Sequence, residues 1–107
     1  MTRIPDHARP GAPRLSDQDL AALLPLLPDW RREGDRIERV VLARDFRAAL
    51  ELVQRVGEAA EREDHHPDIL LEAYRRLTFR LSTHDAGGLT HNDLVLAREI
   101  DVLVSVV

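Results

Sequence analysis

The apolar residues of this chain change their spacing several times within 107 residues, and this alternation constrains the fold more than any other feature. Stretches with the 3.6-residue period of a helix alternate with stretches in which apolar residues occupy every second position, as in a half-buried strand. The resulting order is helix, two strands, helix, two strands, helix. Because strands and helices are segregated in this order, the sequence predicts an α+β fold, with helices packed on one face of an antiparallel sheet.

Proline, glycine and short polar residues mark where these elements begin and end. Ser16 and Asp45 are placed to cap the first and second helices, while Pro25 ends or kinks the first and Pro67 stops the second. Gly34-Asp35 is typical of a tight turn between two strands. The predicted elements are a first helix through Leu20 to Leu27, strands at 30–33 and 36–43, a helix from Phe46 to about Asp64, a second pair of strands that includes Leu77 to Leu81, and a last helix after Thr90.

The long second helix is predicted to turn one apolar face toward the core. This face is defined by helical spacing and consists of Phe46, Leu50, Val53, Val56 and Ala60. The charged residues between these positions are then expected to remain in solvent.

Composition limits the chain to one domain and narrows its chemistry. We assign a single core to residues 15–107, whereas residues 1–14 are rich in proline, lack an apolar period and predict a flexible arm. The absence of cysteine excludes thiol nucleophiles, thiolate metal sites and disulfides. A formal net charge of -4 argues against nucleic-acid binding. We see no apolar stretch of membrane-spanning length and no secretory signal, and therefore expect a cytoplasmic protein.

Three histidines fall in two short segments, each at the end of a regular element: His65 and His66 after the long helix, and His84 after a strand. Ends of elements are common places for functional sites. Glu61 precedes His65 by four residues, so it shares a helix face with that imidazole and is placed to orient it. The pattern also fits solvated surface histidines, or a three-histidine metal site, although the usual ligand spacing is missing. These residues alone leave the alternatives open.

A longer pattern carries a more specific signal: an acidic residue, three spacers, His-His-Pro, six spacers, Tyr, nine spacers, His, eight spacers and Asp. It resembles the signature of the pterin-4a-carbinolamine dehydratases, and the similarity extends from about Leu15 to the C-terminus. The positions that carry the resemblance are Glu61, His65, His66, Pro67, Tyr74, His84 and Asp93.

The resemblance implies a two-layer fold, in which a four-stranded antiparallel sheet and helices on one side follow the order ββαββα after an extra N-terminal helix. It also implies an activity, the dehydration of 4a-hydroxytetrahydropterin to quinonoid dihydropterin in tetrahydropterin recycling, with no cofactor and no metal. A homodimer or homotetramer is expected, because relatives join subunits through sheet edges and helices. The alternative is a non-catalytic dimerisation, coactivator or assembly module of the same fold.

The resemblance further implies a role for each polar residue. His65 and His84 are assigned as general acid and base, because one proton must reach the leaving hydroxyl and another must leave a ring nitrogen. His66 joins them as the catalytic residue that binds and orients the substrate, with Glu61 in support behind the histidines. Asp93 is expected to cap the last helix. The expected substrate-binding residues are Asp64, His65, His66, Ser82, Thr83, His84 and Asp85.

Overall fold

The caps and turns of the sequence define the elements of the computed structural model, which describes residues 3–106. Within that range the chain forms three α-helices and a four-stranded sheet, so the predicted α+β class is confirmed. Met1, Thr2 and Val107, which belong to the predicted arm and domain, lie outside the described residues. The elements are α1 (Asp17–Leu23), β1 (Arg31–Glu33), β2 (Arg36–Leu42), α2 (Phe46–Glu63), β3 (Asp68–Glu72), β4 (Arg76–Leu81) and α3 (His91–Ser105), with 3-10 turns at Leu24–Leu26 and His84–Ala86.

Side-chain caps start the first two helices at the predicted residues. Oγ of Ser16 accepts a hydrogen bond from the amide of Asp19 at 3.0 Å, and Oδ1 of Asp45 accepts one from the amide of Ala48 at 2.8 Å. Such caps satisfy amide groups that have no partner within the first turn of a helix. Pro25 lies in the 3-10 turn that follows α1, so the predicted end of this helix is confirmed.

The sheet has the strand order β1-β2-β4-β3, and each neighbouring pair is antiparallel. β2 and β4 therefore lie in the interior of the sheet. Leu77, Phe79 and Leu81 of β4 are fully buried, whereas Val40 and Leu70 on neighbouring strands are exposed. Successive side chains of a strand point to opposite faces, so one face of the sheet packs against the helices and the other meets solvent, as the alternating pattern predicted.

The buried face of α2 differs from the predicted one. Phe46 and Leu50, which helical spacing assigns to the core face, are 50% and 48% exposed. Val56 and Ala60 of the predicted face are buried as expected, but the buried face as a whole is turned by roughly a quarter turn around the helix, and its other residues are mostly small. Alanine adds little to a periodicity signal, yet its short side chain lets packed elements approach closely, which explains why the prediction was wrong at Phe46 and Leu50. The buried set of α2 is Ala48, Ala49, Leu52, Val56, Ala59, Ala60 and Glu63.

The last helix, α3, has the longest run of consecutive buried residues, from Asn92 to Ala97. It packs against α2 and against β4. Its first turn therefore carries the polar side chains of Asn92 and Asp93 into the interior, where polar groups need hydrogen-bond partners. Within residues 3–106, none of the helices combines the length and the apolar character needed to cross a lipid bilayer.

The N-terminal segment, residues 3–14, makes specific contacts with the helices. The guanidinium of Arg98 on α3 donates hydrogen bonds to the backbone carbonyls of Ile4, Pro5 and Asp6. The side chain of Ile4 is buried against the core. The flexibility of this segment in solution and the domain limit at residue 15 stay predictions.

Candidate active site

Two segments of the chain meet beyond the C-terminal end of α2. Asp64 adopts the left-handed backbone conformation, with φ of 51°, and so turns the chain away from the helix just before His65. Aspartate and asparagine enter this region more readily than most residues with a side chain. The second segment is the loop after β4, which is closed by an isolated bridge between Thr83 and Gly88. The turn and the loop border the same cavity.

His65 is the most enclosed of the three histidines in the signature. Its side chain is 12% exposed, and its Nε2 lies 2.6 Å from Oδ1 of Asp93, whose side chain is fully buried. An ionised carboxylate accepts hydrogen bonds and donates none, so the bonding partner assigns the hydrogen of the neutral ring to Nε2. Nδ1 of His65 is then the basic nitrogen that can exchange a proton.

The carboxylate of Asp93 is held in place by groups at the start of α3 and in the loop after β4. Its Oδ2 accepts hydrogen bonds from the hydroxyl of Thr83 at 2.8 Å and from the amide of Thr90 at 3.0 Å. The hydroxyl of Thr90 lies 3.0 Å from that of Thr83 and extends the network. The predicted capping role of Asp93 is confirmed, since Thr90 and Asp93 form a capping box. The same carboxylate also positions His65, a role that the capping pattern did not reveal.

His65 lies in the wall of a cavity of about 490 Å³, a size typical of small-molecule sites. One side is formed by the end of α2, with Asp64 and His65, and another by the loop after β4, with Thr83 and Asp85. Residues 9–14 of the N-terminal segment form a further side. The structure thus brings these four of the expected substrate-binding residues to one cavity.

His66 and Glu61 form a separate pair on the surface. Nε2 of His66 donates a hydrogen bond to Oε2 of Glu61, and their side chains are 57% and 78% exposed. Glu61 therefore contacts His66 and not His65, which differs from the contact suggested by the four-residue spacing. The reason is local: the left-handed residue Asp64 ends the helix, so helical spacing no longer applies to His65, whose ring reaches Asp93 instead.

His84 and Ser82 do not line the cavity. His84 is exposed at the start of a 3-10 turn, and the next residue of that turn, Asp85, lines the cavity. Oγ of Ser82 donates a hydrogen bond to the backbone carbonyl of Asp35, in the turn between β1 and β2, at 2.8 Å. The roles of His66, Ser82 and His84 in substrate contact stay predictions.

The histidines and carboxylates of the site are not grouped as metal ligands. Among the described residues, no set of three or more histidine, aspartate or glutamate side chains converges on a point that would hold a metal ion. His65 contacts Asp93, His66 contacts Glu61, and His84 faces solvent. This geometry does not favour the three-histidine metal site that the sequence left open.

A buried carboxylate next to the site anchors the N-terminal segment. Glu63, the last residue of α2, accepts hydrogen bonds from the Ala8 amide at 2.8 Å and from Nδ1 of His7 at 3.0 Å. Burial acts to raise the pKa of Glu63, but hydrogen bonds with His7, Glu99 and the Ala8 amide outweigh it and lower the pKa to about 2. Partial burial raises the pKa of Glu99, and the nearby carboxylate of Glu63 raises it further, because two neighbouring carboxylates repel each other when both are ionised.

We expect the imidazole of His7 to titrate above the usual histidine value of 6.5, because its hydrogen bond to Glu63 and the charge of Glu63 raise its pKa. The stabilisation from this raised pKa is complete below pH 6.5 and is lost as the pH rises through the new value. The pKa of Glu63 is lowered from 4.5 to about 2, so its contribution is complete above pH 4.5 and is lost as the pH falls through 2. The contact is therefore strongest between pH 4.5 and 6.5.

A proton NMR titration of the His7 ring tests this prediction. The midpoint should lie above 6.5 in the unmodified chain and should return toward 6.5 in the variant Glu63→Gln, which keeps the shape of the side chain but removes its charge. A midpoint at or below 6.5 in the unmodified chain would contradict the prediction.

Several residues of this region could not have been identified from sequence. Oδ1 of Asn92 accepts a hydrogen bond from the amide of Arg9 at 2.9 Å, and Nδ2 of Asn92 donates one to the carbonyl of Arg9 at 2.7 Å. Neither these contacts nor that of Glu63 with Ala8 follows a local spacing rule, because the partners are far apart along the chain. Asp93 was part of the long signature pattern, but its expected role as a helix cap already explained its presence there.

Known proteins resemble this chain over nearly the whole of the described domain. Residues 13–103 match the sequence model of the family described as "Pterin 4 alpha carbinolamine dehydratase". A Nocardia farcinica protein named "Putative pterin-4-alpha-carbinolamine dehydratase" is 58% identical over 89 residues, which cover 83% of this chain and 93% of the relative. A Thermomicrobium roseum protein with the same name is 45% identical over 92 residues, which cover 86% of this chain and 98% of the relative.

A solved structure shares the fold as well. It is a chain from Brucella melitensis described as a "transcriptional coactivator/pterin dehydratase", and it matches with a TM-score of 0.80 and 29% identity over 85% of this chain and 98% of that chain. Family model, relatives and fold therefore agree with the signature that surrounds His65. The chain belongs to the pterin-4a-carbinolamine dehydratase family.

Proposed function

We propose that this chain removes water from 4a-hydroxytetrahydropterin and releases quinonoid dihydropterin, as a step in tetrahydropterin recycling. Membership of the family supports this reaction. The observation that carries the proposal is the pairing of His65 with Asp93 in the wall of a cavity of about 490 Å³. A histidine whose ring is oriented by a buried carboxylate is suited to proton transfer near neutral pH.

The reaction is an elimination that needs two proton transfers. The bond between C4a and the hydroxyl oxygen breaks while a double bond forms between C4a and N5. An acid gives a proton to the hydroxyl, which leaves as water, and a base takes the proton from N5. The acid therefore loses one proton and the base gains one, and proton exchange with solvent returns both groups to their starting protonation states. Electrons stay within the substrate, and the proposed step therefore uses no redox cofactor.

We assign the two proton transfers to His65 and His84. With its Nε2 hydrogen donated to Asp93, His65 presents Nδ1 as a base, which suits removal of the N5 proton. His84 is exposed, precedes the cavity residue Asp85 in sequence, and is assigned to protonate the hydroxyl. The two roles exchange between stereoisomers of the substrate. His66, whose ring is oriented by Glu61, is assigned to binding and orientation.

A dehydration assay tests the proposed function directly. 4a-Hydroxytetrahydropterin is generated freshly in the cuvette, and the appearance of quinonoid dihydropterin is followed by absorbance with and without the protein. The proposal expects a rate that increases in proportion to protein concentration. A rate equal to the spontaneous one at every protein concentration would overturn it.

A second candidate function is a non-catalytic role in protein assembly or transcriptional coactivation. It is favoured by the similarity to the Brucella melitensis chain, whose description includes a transcriptional coactivator. The described chain also exposes apolar side chains on the solvent face of the sheet, among them Val40, Leu42 and Leu70. This candidate becomes the leading one if the unmodified protein neither accelerates dehydration nor binds a dihydropterin.

We expect the protein to form at least a dimer, and a homodimer or homotetramer in particular. The sheet has edge strands β1 and β3, and unpaired strand edges are normally covered or paired with another chain. Closed symmetric assembly is the common solution. Sedimentation equilibrium at micromolar concentration measures the mass. A single species of 12.1 kDa would contradict the prediction without affecting the catalytic assignment.

A further inference from the structure

The N-terminal segment forms a wall of the cavity that contains His65. Residues 9–14 line this cavity as one continuous stretch, together with side chains from the end of α2 and the loop after β4. Residues 3–12 precede the part of the chain that matches the family model. The family match therefore includes only residues 13 and 14 of this wall.

Hydrogen bonds from Glu63 and Asn92 attach the N-terminal segment to the site. Each of these two residues is the sequence neighbour of a site residue. Glu63, next to Asp64, binds the amide of Ala8, and Asn92, next to Asp93, binds both the amide and the carbonyl of Arg9. Backbone groups fixed at both donor and acceptor leave the segment little freedom to shift. The position of residues 9–14 is consequently set by the same two helix ends that position the site.

Charge is distributed unevenly across the cavity. Asp64 and Asp85 lie on the side formed by α2 and the loop, and two arginines, Arg9 and Arg14, lie on the N-terminal wall. The guanidinium of Arg14 is paired with Asp35 at 3.2 Å. In contrast, Arg9 is exposed, and within the described residues only its backbone takes part in hydrogen bonds. Arg9 is therefore the cation of this wall that a ligand can bind.

A pterin has two chemically different ends. The aminopyrimidinone end carries N–H donors, which suit the carboxylates of Asp64 and Asp85, and the other end carries the variable side chain. A ligand bound with its donors toward those carboxylates leaves its side chain free to reach the arginine-bearing wall of residues 9–14. Guanidinium groups bind carboxylate and phosphate oxygens through paired, charge-assisted hydrogen bonds.

We propose that the N-terminal segment is part of the substrate site, and that Arg9 selects pterins whose side chain carries an anionic group, a carboxylate or a phosphate. This inference rests on the proposed function, because it assumes that the cavity around His65 binds a pterin. It adds a specificity-determining residue from outside the region of the family match.

The test compares ligands that differ in side-chain charge. Binding of 7,8-dihydroneopterin and of its 3′-phosphate is measured by fluorescence titration, and 6-methylpterin and pterin-6-carboxylate form a second pair that tests a carboxylate. The unmodified protein should bind the anionic member of at least one pair about tenfold more tightly, since a hydrogen bond to a charged group contributes on that scale. Arg9→Gln should abolish this preference and leave the affinity for the neutral member unchanged.

A matched control is Arg47→Gln, because Arg47 is exposed in the first turn of α2, roughly 24 Å along the helix from Glu63. It should keep the preference of the unmodified protein.

A second variant, Arg98→Gln, removes the donor that binds the carbonyls of Ile4, Pro5 and Asp6 without altering the cavity lining. It should loosen the segment, weaken the binding of neutral and anionic pterins alike, and raise KM with little change in kcat.

The outcomes separate this inference from the proposed function. If the protein dehydrates 4a-hydroxytetrahydropterin and binds neutral dihydroneopterin but shows no preference in either pair, the inference alone is overturned. The same holds if a preference persists in Arg9→Gln. If the unmodified protein neither binds a pterin nor accelerates dehydration, both the inference and the proposed function are overturned.

Discussion

His65→Ala and His84→Ala are each expected to lower the turnover rate for 4a-hydroxytetrahydropterin by about a hundredfold or more. A general acid or base contributes on this scale, and the two histidines are assigned the two proton transfers of the elimination. The measurement is kcat with freshly generated substrate, together with a circular dichroism spectrum to verify that each variant is folded. The double variant should lose less than the product of the two single losses if the residues act as a unit.

Two other histidines give the controls for this prediction. His66→Ala should raise KM more than it lowers kcat, because a residue that binds and orients the substrate acts on the ground state as well. His91→Ala should leave turnover nearly unchanged, because His91, in the first turn of α3, is assigned neither a proton transfer nor a substrate contact. Near-normal turnover in both His65→Ala and His84→Ala would require the proposed mechanism to be abandoned.

Asp93→Asn is expected to lower the turnover rate by a similar factor, although Asp93 does not line the cavity. The amide oxygen can keep the contacts with the amide of Thr90 and the hydroxyl of Thr83, which turns the amide nitrogen toward His65. An amide nitrogen donates, so the ring of His65 must then accept with Nε2 and carry its hydrogen on Nδ1. The base that faces the substrate is lost, and we expect kcat to fall about a hundredfold or more.

The pH profile, the stability and a matched variant separate this positioning effect from simple unfolding. Asp93→Asn should cost about 1 to 2 kcal/mol in urea unfolding, because a hydrogen bond to a charged group is replaced by one to a neutral group. The acidic limb of its pH profile of kcat, which reports protonation of the general base, should shift, and the double variant with His65→Ala should be no slower than His65→Ala alone. Asp101→Asn, on the same helix but bonded to Trp30 and Arg39, should retain turnover. Unchanged turnover in Asp93→Asn would show that this carboxylate does not act through His65.

Local patterns were sufficient to predict the elements of the fold. The caps at Ser16, Asp45 and Thr90 and the alternation of Leu77, Phe79 and Leu81 depend on contacts within a few residues, and the observed helices and β4 lie where these patterns placed them. The buried face of α2 was predicted correctly at Val56 and Ala60 but not at Phe46 and Leu50, because packing decided it. Phe46 and Leu50 are more hydrophobic than the alanines that are buried in their place, but the small side chains allow close contact with the core.

The sequence by itself determined the α+β class, the limits of most elements and the family, because caps, periodicity and signature spacing are properties of the linear chain. Only the tertiary structure decided which groups become partners. His65 bonds to Asp93 and not to Glu61, Asn92 holds Arg9, and the N-terminal segment closes one side of the cavity. These contacts join residues from 28 to 83 positions apart, where the distance between two side chains depends on how whole helices and strands pack, and no local spacing rule contains that information.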